Sequence, residues 1–318
     1  MKVLLTGGLG GVGAYVTRRF LAAGHAARVL ELDSPLSRKT LSRFPRNSAP
    51  EIFWGDVTRL EDVEEALEGT NLVVHLAGII PPRADEVPDL TWKVNVEGTR
   101  TVLEALRRAG RRIPLVHTSS IAVFGDTRAS RGQLHPERDP LNPHSPYERS
   151  KAEAEKLVKE SGLPFVALRL AAILPFDLSP SRMKGMFIMP WDTRIEFCHV
   201  EDTATAFLRA AERFENIQGR VFIVGGGPKE QLQYYDMISR ILGRMGLPAP
   251  EKEKFSKGPS HLDWYDTADS QAALEFQGRT FEQYLDELYR PFPRPLQWIM
   301  QKLIGPLLGR WIVKGLLR

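Results

Sequence analysis

The chain has 318 residues, of which 42% are hydrophobic, with a formal net charge of +4 and a single cysteine. This composition is ordinary for a globular protein with a substantial core. The lone Cys198 excludes an internal disulfide, and the histidines show no ligand-like spacing, so we predict no metal site. We expect no export leader before the first apolar run, and therefore a cytoplasmic protein.

Short apolar runs alternate with helix-like segments from the N-terminus to about residue 170. The runs are continuous, which is typical of strands covered on both faces. Helical crossovers between them indicate a parallel sheet, and thus an α/β, doubly wound Rossmann fold with a smaller C-terminal substrate lobe. The predicted strands are 3–5, 28–32, 51–54, 72–76, 115–118, 165–170 and 221–224.

Changes in this pattern divide the chain into three predicted regions. Residues 1–170 form the Rossmann domain, and the glycine-rich segment after its first strand predicts that it binds NAD(P). Residues 171–290 form a substrate-binding lobe, from which some segments return to the sheet, and helix-like runs there cover 202–213 and 232–245. Residues 291–318 form a basic, amphipathic tail. The cleft between the two lobes is the expected ligand site.

A glycine-rich segment follows the first strand and leads into a helix-like run, Thr6-Gly-Gly-Leu-Gly-Gly-Val-Gly13. Glycine allows a tight turn beside a pyrophosphate and close packing of the helix on the strand, while N–H groups at the helix start attract phosphate. A plain strand-to-helix turn is the alternative. The candidate cofactor-binding residues here are Gly7, Leu9, Gly10, Gly11, Val12 and Gly13.

Two acids follow the second strand, Glu31 and Asp33. Either carboxylate would accept hydrogen bonds from ribose hydroxyls and repel a 2′-phosphate, which favours NAD. NADP stays open because Arg38 and Lys39 follow closely, and either acid is alternatively a solvated strand end.

Two further strand ends fit the same cofactor. After the third strand, Asp56 is placed to accept from the adenine amino group and Val57 to pack on its ring. The fourth strand ends in Leu76-Ala77-Gly78, and such small residues are what a backbone that passes close beside a cofactor requires.

A helix is predicted from Ser145 onward, with Ser145 as its cap and Pro146 in its first turn. Tyr147 and Lys151 then lie one turn apart on the same face. They are either an acid/base and its activator or an aromatic ring packed over a lysine stem.

Taken together, the motifs resemble those of the extended short-chain dehydrogenase/reductases, the group that includes the NAD-dependent epimerase/dehydratases. The resemblance covers about residues 1–227. It rests on the glycine segment and on Gly55-Asp-Val57, His75-Leu-Ala-Gly78, Asn95-Val-Glu-Gly-Thr99, Thr118-Ser-Ser-Ile-Ala-Val-Phe-Gly125, Tyr147-x-x-x-Lys151 and Phe197-Cys-His-Val-Glu-Asp202.

The resemblance implies an NAD(P)-dependent dehydrogenase/reductase or epimerase, an enzyme that moves a hydride. It makes Tyr147 the general acid/base. Lys151 binds the nicotinamide ribose and lowers the tyrosine pKa. Ser120 bonds to the reacting oxygen, with Thr118 and Ser119 as less favoured alternatives, and Asn95 supports the cofactor site.

The second lobe departs from the pattern of members that act on nucleotide sugars. Such members usually carry an asparagine shortly after the sixth strand, where this chain has Ala171-Ala172, and a longer cationic segment than 175–196. That segment has three cations and is rich in methionine and aromatic residues, which fill either a core, a dimer contact or a binding surface. A small or apolar hydroxyl/carbonyl substrate is therefore favoured. A nucleotide-sugar epimerase/dehydratase and a non-catalytic regulator or membrane-associated scaffold remain the alternatives.

From Leu288 to the C-terminus the chain carries six basic residues and no acid, which leaves 4 − 6 = −2 for the rest. The apolar runs there are interrupted by Gly305-Pro306 and are too charged to predict a membrane-spanning helix. Arg310, Lys314 and Arg318 recur every four residues opposite Leu and Trp, which suits a membrane surface. Docking onto the chain's own body or within a homodimer is the alternative, and no nucleic-acid partner is expected.

Overall fold

Seven parallel strands form one sheet in the computed structural model, which describes residues 1–130 and 132–316. The sheet order is β3-β2-β1-β4-β5-β6-β8, so the strand order reverses between β1 and β4. The strands are β1 (Lys2–Thr6), β2 (Ala26–Glu31), β3 (Glu51–Trp54), β4 (Leu72–His75), β5 (Leu115–Ser120), β6 (Phe165–Leu170), β7 (Arg194–Glu196), β8 (Val221–Val224) and β9 (Gln231–Gln233).

Helices cover both faces of this sheet. Alternate residues of β1 show why: Val3 and Leu5 belong to a core with α1 and α9, whereas Leu4 belongs to a core with α3, α6 and α7. The helices are α1 (Gly13–Ala22), α2 (Pro35–Leu41), α3 (Leu60–Leu67), α4 (Arg83–Glu86), α5 (Pro88–Trp92), α6 (Gly98–Arg108), α7 (Pro146–Glu160), α8 (Pro180–Gly185), α9 (Val200–Glu212), α10 (Phe214–Ile217), α11 (Tyr234–Arg244), α12 (Ala268–Leu274), α13 (Phe281–Tyr289), α14 (Arg294–Ile299) and α15 (Gly305–Leu316).

The predicted doubly wound α/β fold is confirmed, and each of the seven predicted strands is found in this sheet. The reversal between β1 and β4 is the kind of crevice in which open α/β sheets bind ligands.

A third apolar core lies outside the sheet, in the smaller lobe. It is built by α8, α11, α13 and α15 together with the antiparallel pair β7–β9. Its buried members include Met183, Phe197, Tyr284 and Val313. Because β8 follows β7 in the chain yet pairs with β6, the chain leaves the sheet and returns to it. The division at residues 170 and 290 stays a prediction.

The tail differs from its predicted form, because Gly305-Pro306 does not interrupt it. A π-helical turn, Met300–Ile304, joins α14 to α15, so the helical backbone continues through Gly305 and Pro306. Arg318 lies outside the described residues. Across residues 1–130 and 132–316, helix length and hydropathy give no candidate for a membrane-crossing span.

Candidate active site

The glycine segment forms the turn between β1 and α1 and is closely packed. Gly7 has φ +70, and a Cβ there would lie 2.7 Å from the Cα of Ala77, so β1 and β4 end almost in contact. A Cβ on Gly13 would lie 2.1 Å from the carbonyl oxygen of Gly7, so only glycine lets α1 start this near the strand. Helix α1 begins without a side-chain cap. The N–H groups of Ala14 and Tyr15 donate to the carbonyls of Gly10 and Val12, so an anion would meet the N–H groups of the turn that precedes Ala14.

Glu31 ends β2 beside this turn, as predicted for a ribose-binding acid. Its carboxylate accepts from the N–H groups of Leu9 (3.1 Å) and Leu32 (3.2 Å). Burial raises the pKa of Glu31, and these two hydrogen bonds oppose the rise.

Asp33 stands farther out and is already paired. The Arg38 guanidinium bonds both of its oxygens at 2.6 Å and lowers the pKa of Asp33. Of the two predicted acids, Glu31 is therefore the one held against the glycine turn. Arg38, one of the two cations that left NADP open, is engaged by Asp33.

The predicted adenine-binding pair follows β3. One oxygen of Asp56 accepts from the N–H (2.8 Å) and hydroxyl (2.9 Å) of Thr58, which fixes its rotamer. Val57 is buried in the core, where a Cβ on Gly98 would lie 3.0 Å from its Cγ1. The side chain of Val57 is thus already packed by the protein, and its predicted contact with adenine stays a prediction.

The end of β4 meets α7 through Asn95. The N–H of Ile79 donates to Asn95 Oδ1 (2.7 Å), and Asn95 Nδ2 donates to the Ile79 carbonyl and to Ser150 Oγ, both at 3.0 Å. A Cβ on Gly78 would lie 3.1 Å from Asn95 Oδ1 and 3.6 Å from Lys151 Nζ. Asn95 lies in a π-helical turn, Lys93–Glu97, and its predicted supporting role matches these contacts.

A capping box fixes the start of α7. Ser145 Oγ accepts from the Glu148 N–H, and Glu148 accepts from the Ser145 N–H (3.0 Å) and the His144 N–H (2.7 Å). Burial would raise the pKa of Glu148, but hydrogen bonds from His261 and these N–H groups outweigh it and hold the pKa at about 2. The cap places Tyr147 in the first turn of a rigid helix.

Tyr147 and Ser120 are brought together by α7 and the end of β5. The phenol is buried, and burial raises the pKa of Tyr147, while a hydrogen bond with Ser120 opposes the rise. Nearby Asp85 raises it further. The protein's own groups thus raise the pKa of Tyr147, whereas the sequence analysis expected it to be lowered.

Lys151 lies one turn beyond Tyr147, also buried. Its Nζ donates to the carbonyl oxygen of Thr118 (2.8 Å). Burial lowers the pKa of Lys151 to about 8, and the charge of Glu155 opposes this. An ammonium has three protons, so two remain for other acceptors. The alternative was a lysine stem packed under an aromatic ring. It does not account for a buried ammonium that donates to the Thr118 carbonyl.

A buried ion pair behind Lys151 was not anticipated. Arg169 bonds both oxygens of Glu155 (2.7 and 2.9 Å), and Ser119 donates to the same carboxylate (2.6 Å). Burial would raise the pKa of Glu155, but Arg169 outweighs it. Ser119, one of the two less favoured alternatives to Ser120, thus already has a buried carboxylate as its partner.

Two buried histidines lie near Lys151 in neighbouring strands, His75 in β4 and His117 in β5. His75 bonds the hydroxyls of Thr6 (2.7 Å) and Thr99 (3.0 Å), and its ring centroid is 5.6 Å from that of His117. Burial, with the charge of Lys151, lowers the pKa of His75 to about 3. Both rings are therefore uncharged near neutral pH and act as packed polar groups.

These residues fit a dinucleotide along the carboxyl ends of β2, β1, β4 and β5. The uncapped start of α1 and the glycine turn suit the pyrophosphate, Glu31 suits a ribose, and the free protons of Lys151 suit the second ribose.

Comparison with known proteins agrees with this geometry. The model of the NAD dependent epimerase/dehydratase family matches residues 3–225. The chain is 34% identical over 278 residues to 3 beta-hydroxysteroid dehydrogenase type 7 of Homo sapiens, covering 77% of this chain and 73% of that protein. It is 33% identical over 185 residues to sterol demethylase protein B of Methylococcus capsulatus, covering 57% of this chain and 54% of that protein.

The alignment with sterol demethylase protein B spans about half the length of that relative. Among solved structures, UDP-glucuronic acid 4-epimerase from Bacillus cereus, in complex with UDP-glucuronic acid and NAD, matches with a TM-score of 0.75. It is 22% identical over 92% of this chain and 100% of that one, which shows the shared fold.

The fold and the site define a dinucleotide-binding enzyme with a Rossmann domain. The chain belongs to the NAD-dependent epimerase/dehydratase family, within the extended short-chain dehydrogenase/reductases. NAD is the cofactor of this family, in agreement with the acid that closes β2.

Proposed function

We propose that this enzyme is an NAD-dependent oxidoreductase that acts on a small or apolar hydroxyl or carbonyl compound, with Tyr147 as general acid/base. The observation that carries the proposal is the buried arrangement of Tyr147, Ser120 and Lys151, with Lys151 beside Gly78 at the end of β4. Residues 1–170 would hold the cofactor and 171–290 the substrate. A cytoplasmic location belongs to the same proposal and rests on the lone buried cysteine.

Tyr147 would hold and move the proton at its phenolic oxygen. Since burial raises its pKa, the phenol keeps its proton at neutral pH and can donate it to a carbonyl oxygen as negative charge develops there during reduction. In the oxidation of an alcohol, the deprotonated phenolic oxygen would instead accept the proton of the substrate hydroxyl. Ser120 would orient that oxygen by a second hydrogen bond. When bound, NAD supplies the carbon that accepts or donates the hydride.

Lys151 would support this proton transfer from one turn away. Its pKa of about 8 keeps most of the side chain charged at neutral pH, and Glu155 favours the charged form. With one proton committed to the Thr118 carbonyl, the others are available to ribose hydroxyls.

The end of β6 supports a substrate without a nucleotide. Ala171 and Ala172 follow the strand and pack in the apolar cores. This position therefore has no side-chain amide that could hydrogen-bond to a sugar.

Two of the three cations between β6 and α9 also have protein partners. Arg194 pairs with Asp263 (2.5 Å) and bonds Ser130 Oγ (2.9 Å) and the Gly132 carbonyl (2.7 Å). Arg182 lies 3.7 Å from Asp177. A substrate diphosphate would have to compete with these carboxylates.

The methionine-rich segment gives weaker support. Met183 and Phe187 are buried in the core of the smaller lobe, and Phe176 and Met186 pack against them. This segment is thus mainly core packing and lines no site by itself. Hydroxysteroids are the first class to test, because two relatives are named for sterol or hydroxysteroid chemistry.

A substrate screen that follows the absorbance of reduced nicotinamide tests the proposal. Hydroxysteroids and small secondary alcohols should reduce NAD, whereas UDP- and dTDP-sugars should be neither oxidised nor epimerised. Epimerisation of a nucleotide sugar with tightly retained NAD would establish the second candidate instead. NAD binding without turnover of either class would favour a non-catalytic regulator.

A further inference from the structure

The tail helix is held to the smaller lobe by one narrow face made of small residues. A Cβ on Gly305 would lie 2.0 Å from the Gly246 carbonyl oxygen, and one on Gly309 would lie 2.7 Å from Pro248 Cδ. Val313 is buried in the same core as Met183. Glycines and a valine four residues apart thus allow the backbone of α15 to lie against the lobe.

The opposite face of the same helix carries large apolar side chains with no cover. Leu307 is 79% exposed and Trp311 is 77% exposed, and Leu303 and Leu308 are exposed beside them. Leu307 and Trp311 are one turn apart and therefore form a stripe along α15, and Leu303 lies in the π-helical turn just before it. An apolar stripe this long on a helix that is already docked indicates a second contact surface.

The charge around the stripe indicates what that surface meets. The chain from Leu288 onward has six basic residues and no acid, and Lys302 is exposed next to Leu303. Arg310 and Lys314 follow Leu307 and Trp311 by three positions in the helix. Two copies joined through this face would bring two acid-free basic segments together, which like-charge repulsion disfavours. An anionic lipid surface matches both the charge and the tryptophan.

We propose that α15 docks the enzyme on the surface of an anionic bilayer, with Leu303, Leu307, Leu308 and Trp311 entering the interface. The helix lies in the plane of the membrane, while its glycine face stays on the protein. The proposal is independent of the substrate.

Point variants test the stripe better than removal of the tail, because Val313 and Ile312 contribute to the core of the lobe. The full chain is cosedimented with vesicles of phosphatidylcholine mixed with phosphatidylglycerol, and with phosphatidylcholine alone. Leu307→Gln combined with Trp311→Gln is the test variant. Leu36→Gln is the matched control, since Leu36 is 73% exposed on α2 in the other lobe.

Wild type and Leu36→Gln should sediment with the anionic vesicles and lose binding in high salt. The double variant should bind the anionic vesicles at least about tenfold more weakly, and its thermal unfolding midpoint should be unchanged. Equal binding by the double variant, or no binding by wild type, would overturn the proposal. So would a dimer that only wild type forms in sedimentation velocity without vesicle binding, since a second copy would then be the occupant.

Discussion

At the scale of single residues, the site depends on which way neighbouring side chains of β5 point. Ser119 donates to buried Glu155, whereas Ser120 lies on the side of Tyr147 and opposes the rise in the pKa of that phenol. The two serines differ because successive residues of a strand face opposite sides of the sheet. The sequence alone favours Ser120 by resemblance but offers Ser119 as an alternative. The strand geometry supplies the physical reason for the choice.

Alanine at each serine should therefore have opposite consequences. Ser120→Ala should lower kcat about 100-fold or more, because the substrate oxygen loses a hydrogen bond, with little change in stability. Ser119→Ala should leave kcat within a few-fold but lower the free energy of unfolding by about 1–2 kcal/mol, since Glu155 loses a buried donor. Steady-state kinetics and urea unfolding measure the two effects. A kcat loss confined to Ser119→Ala would contradict this assignment.

One signal for the buried pair was present in the sequence. Tyr147, Lys151 and Glu155 recur every four residues, so Glu155 had to lie on the same helix face as the other two. Arg169 stands in an apolar strand, where a charge needs a partner. The sequence could not show that these two residues meet, because their contact depends on how α7 lies across β6.

At the scale of elements, the sequence predicts those elements that have a clear local signal, such as an apolar run or a helix cap. Continuous apolar runs gave the seven strands of the sheet, and the Ser145 cap gave the start of α7. The strands β7 and β9 have only three residues each, too few for a pattern, and they pair antiparallel with each other. The tail was predicted to break at Gly305-Pro306, but a π-helical turn carries the helix through.

The turn between β1 and α1 should not tolerate a side chain at Gly13. Gly13→Ala should weaken NAD binding at least about tenfold, or ~1.4 kcal/mol, because its Cβ would force the Gly7 carbonyl and the phosphate-binding turn to move. Calorimetric titration with NAD measures the loss. Gly243→Ala in α11 is the control, since a Cβ there meets no atom within 4 Å. Equal NAD affinity in both variants would contradict the packing argument.

The cap of α7 should make stability depend on pH. The pKa of Glu148 is lowered in the folded state to about 2, so its contribution is fully present above the unfolded value and is lost as pH falls towards 2. Glu148→Gln should lower the free energy of unfolding by about 1 kcal/mol at neutral pH, an amount discounted because the carboxyl is partly solvated.

Urea unfolding at pH 7 and pH 4 checks this dependence. The difference in free energy of unfolding between wild type and Glu148→Gln should be smaller at pH 4. At that pH the carboxyl group of Glu148 is partly protonated in the unfolded chain but still ionised in the folded protein. A constant difference would show that the contribution comes from packing and not from charge.

At the scale of the whole molecule, the site is assembled from distant parts of the chain. The glycine turn, the end of β5 and the start of α7 meet because β1, β4 and β5 are neighbours in the sheet. The resemblance to a family anticipates this meeting. It does not anticipate how the second lobe closes over it, with His261 placed 3.6 Å from Glu148. Contacts between such distant segments follow from the packing of the two lobes and leave no local pattern.

The substrate question also belongs to this scale. Arg194 is drawn into an ion pair with Asp263, which comes from a segment almost seventy residues later (263 − 194 = 69). The sequence presents Arg194 as a free cation, and only the fold shows that it is neutralised. This pairing is the main structural reason to prefer an apolar substrate over a diphosphate.

Turnover of wild type and Tyr147→Phe, followed by absorbance of reduced nicotinamide with the best hydroxysteroid or alcohol of the screen, tests the central claim most directly. The variant should keep its affinity for NAD and lose at least about 100-fold in kcat, because phenylalanine has no proton to exchange. Equal turnover by the two proteins would contradict the role of Tyr147 and the account built on it.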